Sequence, residues 1–333
     1  MKAPRMVFLL LVLAAAAWAQ AGSAGEPPAA PQTPSRPSPL QGAPRSQAPP
    51  QDANPTFRVD VKLVNVFVTV TDQKGAPVGD LGKQDFQVFE DGAPQTISVF
   101  DRESELPLSV VLQIDASLST KKDLRLELQA AKAFAHSILR PVDAMSLYQF
   151  SEIVEEMVPF TSNLARIDRG IENVHTGAAT ALYDAIFLGA HALQRRQGRK
   201  VMVVITDGGD TVSSTDYHAA VRSAQEAEAI VYSIIVVPIE SSAGRDLGGE
   251  HALIQLSEDT GGKYYYASGL AQLQDAFRKI SDELRTQYLL AYYPTQRLAE
   301  SDFRRIKVEV KQPGQAEALQ ARYRTGYYTS KSE

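Results

Sequence analysis

The sequence predicts an α/β fold: a doubly wound, mostly parallel sheet, inserted in or flanked by a β-sandwich-like domain. Three observations predict it. Leu108 to Ile114, Val201 to Thr206 and Ile230 to Val237 are largely apolar runs of strand length, as expected for parallel strands covered on both faces. Apolar residues at helical spacing fill the stretches between them, in Leu128, Ala131, Ala135 and Ile138, and again in Leu182, Ala185, Ile186, Gly189 and Leu193. On either side, shorter segments alternate apolar and polar residues and are separated by turn residues.

The elements follow in order. Residues 1–19 read as a secretory signal peptide: Lys2 and Arg5 precede an apolar run from Val7 to Ala17, and Ala17-Trp18-Ala19 forms a cleavage signal before Gln20. The run is short against the ~20 residues of a membrane span; an uncleaved N-terminal anchor is the alternative. The expectation is an exported chain, periplasmic or extracellular, with no integral membrane segment after cleavage. Residues 20–56 hold ten of the nineteen prolines and few large apolar residues, so they are expected to form a disordered Pro/Ala-rich linker.

Residues 57–105 read as β. Val59, Val61 and Leu63 alternate with polar residues, Val66 to Val70 is strand-like, Phe86 to Phe89 leads into the turn Glu90-Asp91-Gly92, and Ile97 to Phe100 follows. Residues 106–285 carry the repeated strand–helix units. Besides the three apolar runs these include a strand at Ser146 to Phe150, a helix at Tyr217 to Ala229, a helix near Leu253 to Asp259, a short strand at Lys263 to Tyr266 and a helix at Leu270 to Leu284. Such repetition implies right-handed crossovers. Residues 286–330 return to β at Tyr288 to Tyr293, Arg305 to Val310 and Gln320 to Tyr328. Together the two β segments approach the ~100 residues of a β-sandwich, which would make the α/β domain an insertion; two separate small β units are the alternative.

Composition narrows the function. The chain has 333 residues and a net charge of −5, with both signs mixed along it, so it lacks the clustered positive footprint of a nucleic-acid binder. With no cysteine, disulfides, iron–sulfur clusters, thiolate zinc sites and cysteine catalysis are excluded. Five scattered histidines leave little for a His-based metal site. No P-loop, G-x-G-x-x-G, G-x-S-x-G or H-E-x-x-H motif occurs.

The remaining chemistry sits where parallel strands end, the position at which open α/β sheets bind ligands. Asp115-Ala116-Ser117-Leu118-Ser119 follows the first apolar run, Asp207 follows the second, and Thr180 lies in the loop Gly177-Ala178-Ala179-Thr180 before a helix. Two carboxylates and three hydroxyls are hard oxygen donors, suited to Mg²⁺ or Mn²⁺. This pattern resembles the metal-ion-dependent adhesion site of von Willebrand factor type A domains, over about Leu106 to Arg285. The flanks, including "VNVFVTVTDQKGAPVGDLGKQDFQVFEDGAPQTISVF", resemble bacterial secreted VWFA-related proteins. The resemblance implies that Ser117 and Ser119 contact the metal through their hydroxyls, that Thr180 does so directly or through water, and that Asp115 and Asp207 ligate it or orient its shell. Two departures stand out: Leu118 occupies the middle of the first motif, and Ala178-Ala179 stands where many members have Gly-Gly.

The expected function is a secreted, non-enzymatic binding module, in which the metal captures an Asp or Glu of a protein partner. A metal-free structural scaffold of the cell envelope is the alternative, and an envelope hydrolase a third reading that lacks an identifiable base. Partner identity and oligomeric state are not set by the sequence. Asp210, Asp216, Glu240, Asp143 and His175 read as solvated loop charges. Arg195, Arg196, Arg199 and Lys200 read as a basic cluster placed against a helix dipole, and the Tyr pairs as strand aromatics packed between sheets.

Overall fold

The computed structural model describes residues 63–102, 105–120, 124–237, 247–295, 303–311 and 319–329. The signal peptide and linker expected at 1–56, the strand start at 57–62 and Glu240 lie outside these residues. Among the described residues, no helix is long and apolar enough to cross a membrane. The β strands are β1 (Val64–Thr71), β2 (Phe86–Glu90), β3 (Ala93–Gln95), β4 (Ile97–Arg102), β5 (Leu108–Asp115), β6 (Ala144–Phe150), β7 (Val154–Thr161), β8 (Arg199–Thr206), β9 (Ile230–Val236), β10 (Tyr264–Ala267), β11 (Tyr288–Tyr292), β12 (Phe303–Val310), β13 (Gln320–Arg322) and β14 (Gly326–Tyr328). The helices are α1 (Leu124–Ile138), α2 (Leu164–Glu172), α3 (Leu182–Gln194), α4 (Tyr217–Glu226), α5 (Leu247–Thr260) and α6 (Leu270–Arg285).

The central sheet has the order β10-β9-β8-β5-β6-β7. Its strands pair in parallel except β7, which runs antiparallel to β6 at the edge. The alternation of β5 explains its burial. Leu108, Val110, Leu112 and Ile114 pack into a core with Phe134 of α1, Ile167 of α2 and Ile280 of α6. Val111 faces the opposite core, with Leu182 and Ile186 of α3, Ala224 of α4 and Leu256 of α5. Helices therefore cover both faces, which is why apolar residues predominate on both faces of β5, β8 and β9. On the second face α3 comes close because Gly189 has no side chain: a Cβ there would lie 3.1 Å from Val111 Cγ1 and 3.0 Å from Met202 Cε.

The flanking β segments interleave. One antiparallel sheet has the order β13-β1-β11-β4 and another β14-β12-β2-β3, so β1 pairs with β11 and β2 with β12, more than two hundred residues apart in sequence. The two flanking segments thus pair strand with strand across the α/β domain. The sheets share one apolar cluster, in which Val64, Val66, Val68 and Val70 of β1 and Tyr288, Leu290 and Tyr292 of β11 meet Phe86 and Val88 of β2 and Ile306 and Val308 of β12. Every second residue points inward, as the strand period of two requires.

The structure adds elements that the sequence reading did not contain, among them β3, β7 and α2. It also divides the expected strand Gln320 to Tyr328: β13 joins β1 in one sheet, and β14 joins β12 in the other. The break at residues 323–325 lets Thr325 N–H donate to the Asp259 carbonyl at 3.0 Å, which fastens this crossing to the end of α5.

Candidate metal centre

The strand order makes the site. From β5 the chain moves outward to β6 and then returns on the other side of β5 to β8, so the carboxyl ends of β5 and β8 flank the point where the winding reverses. Open α/β sheets leave a crevice there. Asp115 ends β5, and Asp207 follows β8.

Asp115 is fully buried. Its Oδ1 accepts the Ser117 N–H at 2.8 Å and its Oδ2 accepts the Thr206 hydroxyl at 2.6 Å. Burial pushes its pKa up to about 6; these hydrogen bonds oppose the rise, and the neighbouring Asp207 charge adds to it. Past Asp115 the chain turns sharply, and the buried Thr120 hydroxyl donates to the carbonyls of Asp115 and Ser117 at 3.1 and 3.0 Å. The turn aims both serines the same way: Ser117 Oγ stands 3.0 Å from Ser119 Oγ, which donates to Asp207 Oδ1 at 3.0 Å.

The Thr180 loop reaches this group through the backbone. Gly177 N–H donates to the Ala116 carbonyl at 2.7 Å, and Ala181 N–H to the Ser151 carbonyl at 2.6 Å. Gly177 permits the approach, since a Cβ there would lie 2.3 Å from Ser151 Oγ. Thr180 is buried, and its N–H donates to Thr211 Oγ1 at 2.9 Å. Direct hydrogen bonds thus link Asp115 to Ser117 and join Ser117, Ser119 and Asp207, whereas Thr180 is tied to this group by its loop.

The donor set fits a small hard cation. Octahedral oxygens about 2.1 Å from Mg²⁺ stand about 3.0 Å from their neighbours. That is the spacing from Ser117 Oγ to Ser119 Oγ and on to Asp207 Oδ1. Among the described residues no group of three His, Asp or Glu side chains gathers as a metal cage; the donors here are two carboxylates with hydroxyls.

Several supporting residues were missed in the sequence. Glu152, just past the end of β6 at the same edge of the sheet, accepts the N–H of Ala178 at 2.6 Å and of Ala179 at 3.4 Å. The Ala178 N–H, with its own backbone N–H, draws its carboxyl down to about 2. The strand-end rule that found Asp115 would have found Glu152 as well, and Thr206, the polar last residue of an apolar strand. Asp184 accepts the N–H groups of Ser214 and Thr215, stitching the loop after Asp207 to α3.

Three expected solvated charges have other roles. Asp210 accepts from Tyr183 N–H at 3.2 Å and serves the first turn of α3, whose cap position holds Ala181. Asp216 caps α4 by accepting the Ala219 N–H. Asp143 is buried and paired with Arg140. The basic cluster divides too: Arg196 lies over Phe160 and donates to Ser109, while Arg199 is buried against the end of α6 rather than α3. Tyr265, Tyr292 and Tyr327 pack inward, but Tyr266 and Tyr293 are exposed.

Comparison with known proteins places this geometry. A family model described as von Willebrand factor type A domain matches residues 110–209. Among solved structures, the chain is similar to the conserved hypothetical protein BatB from Bacteroides thetaiotaomicron (19% identity, 54% of this chain and 100% of that one, TM-score 0.44). It is also similar to a von Willebrand factor type A protein from Catenulispora acidiphila (11%, 72% and 73%, TM-score 0.49). A third similar structure is the vWF domain of the type V pili tip protein Mfa5 from Porphyromonas gingivalis (12%, 53% and 94%, TM-score 0.43). No curated protein sequence matches the chain. The matched segment begins within β5, ends just past Asp207 and contains all five candidate ligands, so the chain contains a von Willebrand factor type A domain.

Proposed function

We propose that the chain is an exported, non-catalytic interaction module whose Asp115, Ser117, Ser119, Thr180 and Asp207 hold Mg²⁺ or Mn²⁺ and capture an Asp or Glu side chain of a protein partner. The observation that carries this reading is the succession of 3.0 Å spacings from Ser117 Oγ through Ser119 Oγ to Asp207 Oδ1. Asp115, with both carboxylate oxygens already engaged, orients the loop and supplies negative charge from behind. A bound divalent ion would contribute Lewis acidity toward one further oxygen ligand. Two carboxylates leave a divalent ion formally neutral, so capture of an anionic group rests on the ion's Lewis acidity at an open coordination position.

The rim fits the same reading. Leu118, Ile153 and Val212 are 60%, 58% and 48% exposed. Leu118 sits between the two serines. Ile153 belongs to the turn whose Ser151 carbonyl holds Ala181, and Val212 N–H donates to the Thr180 carbonyl at 3.3 Å. Three apolar side chains on three loops around a polar centre suit an acidic residue flanked by apolar ones. The two flanking sheets, with their shared core, we read as one β-sandwich that carries the domain.

The test is thermal unfolding of the mature chain in EDTA, Mg²⁺, Mn²⁺ and Ca²⁺. A ligand at one hundred times its dissociation constant adds about 2.7 kcal/mol to the native state. A rise in Tm with Mg²⁺ or Mn²⁺ is expected, lost in Asp115→Ala and in Ser119→Ala, whose exposed side chain bears no packing load. A metal response that survives Ser119→Ala would refute the assignment of this site; partner capture that persists in EDTA would move the function to the metal-free scaffold reading.

A further inference from the structure

The opposite edge of the central sheet carries a second polar site. There β5 begins at Leu108 and β8 at Arg199, beside a cavity of about 500 Å³ lined by Arg140, Arg199 and Arg285 together with Asp143, Glu105 and Leu284. Both chain crossings between the α/β domain and the flanking sheets, from β4 to β5 and from α6 to β11, pass here. Arg199 is 5% exposed. One of its Nη atoms donates to the Leu284 carbonyl near the end of α6. Its Nε is buried and meets no hydrogen-bond acceptor among the described residues.

Among the described residues no carboxylate hydrogen-bonds Arg199, and the Asp143 charge attracts it only from a distance. Asp143 is the buried carboxylate of the cavity and is already saturated: it accepts Arg140 Nε at 2.8 Å, Arg140 Nη2 and N–H at 2.9 Å, and Leu108 N–H at 2.8 Å. Glu105 is exposed and acts on Arg140. Arg285, exposed at the rim, donates to the Ser137 carbonyl at 2.6 Å. The α6 carboxyl end offers Arg199 only the partial negative charge of a helix dipole. Burial, and then the Arg140 charge, lower the Arg199 pKa against the opposing pull of Asp143, so its charge is only partly compensated. A buried guanidinium without an anionic partner is costly, and its fork of donors is shaped for carboxylate or phosphate oxygens.

We propose that this cavity binds a small anion through a carboxylate or phosphate group, with Arg199 as the buried anchor and Arg285 as the contact at the rim. The site is independent of the metal centre at the other end of the strands. Its position at both crossings would let a bound anion brace the α/β domain against the flanking sheets.

The experiment is thermal unfolding of the mature chain titrated with sodium phosphate and, separately, sodium acetate, each against sodium chloride at matched ionic strength. A saturable rise in Tm beyond that of chloride is expected, and the salt that gives it names the head group. Arg285→Gln should weaken the apparent affinity about tenfold or more, the scale of one charge-assisted hydrogen bond. Arg199→Met should abolish the response while leaving the anion-free Tm equal or higher, because an apolar side chain replaces an only partly compensated charge. If Arg199→Met does not fold, Arg285→Gln decides. A wild-type response no larger than that of chloride, or one that Arg285→Gln leaves unchanged, overturns the proposal.

Discussion

Asp143 shows how much one side chain can hold without announcing itself. Its carboxylate joins the Arg140 guanidinium to the first N–H of β5. Burial works against its ionisation, yet the bonds from Arg140 and Leu108 outweigh it and hold its pKa below the usual carboxylate value. Asp143→Ala leaves Arg140 and the Leu108 N–H without their acceptor and should cost about 2–4 kcal/mol in urea unfolding at pH 7. Because the folded pKa is lowered, the stabilisation is complete above the unfolded value of ~3.9 and fades as pH falls through the folded value. The stability gap between wild type and Asp143→Asn should therefore narrow below about pH 4; a gap constant from pH 3 to 7 would contradict this. In the sequence, Arg140-Pro141-Val142-Asp143 reads as a polar loop, since nothing local says that Leu108 lies beside it. Asp115, Ser117, Ser119 and Asp207 were legible for the opposite reason: each directly follows an apolar strand, and a strand end fixes a place in the sheet. Glu152 stood at the same edge, but no motif drew attention to it.

At the scale of elements, legibility followed periodicity. Strands β5, β8 and β9 are mostly apolar because helices cover both faces, and α1, α3 and α6 show their buried stripes. Strand β7 was missed because it lies at the sheet edge, where Glu155, Glu156 and Pro159 interrupt the apolar pattern. Helix α2 is nine residues long and buries only Ile167, Gly170 and Ile171, too few to mark a period. The division of Gln320 to Tyr328 into β13 and β14 depends on partners in two sheets, which no local pattern encodes. The turn from α5 to β10 gives the sharpest test at this scale. Gly262 follows Gly261, and its N–H donates to the Ser257 carbonyl at 2.8 Å. A Cβ on Gly262 would stand 1.8 Å from the Val231 carbonyl oxygen. That oxygen belongs to the backbone of β9, which cannot swing aside, so Gly262→Ala should cost about 3 kcal/mol through forced displacement of the turn. Gly79, with open space around its missing Cβ, is the control: Gly79→Ala should change stability by less than about 0.5 kcal/mol. Equal Tm values for the two variants would contradict the packing argument.

The molecule as a whole is held by ties between its α/β domain and its flanking sheets. Glu283 of α6 is buried, accepts the Tyr265 hydroxyl at 2.9 Å, and pairs with Arg322 of β13. Arg324 donates to the Asn65 carbonyl of β1 at 2.6 Å, and Thr325 to the Asp259 carbonyl of α5. Phe67 of β1 packs on the core beneath β5. These contacts leave and enter different elements, so no single one is a hinge. The two sheets also draw their central strands from both ends of the described chain, on either side of the α/β domain. The expected consequence is one cooperative unit. In native-state hydrogen exchange, the core amides of β8 and of β11 should open with the same free energy. Glu283→Ala strands Arg322 and the Tyr265 hydroxyl, and should lower both values by about 3 kcal/mol, the cost of breaking a buried pair. If β11 instead opened at a lower free energy than β8 in the wild type, the sheets would be a separate folding unit. Under the proposed function, a bound partner would then be held by a domain that moves on its support, whereas a single unit would pass a load on the loops around Asp115 and Asp207 directly through β5 and β8 to the flanking sheets.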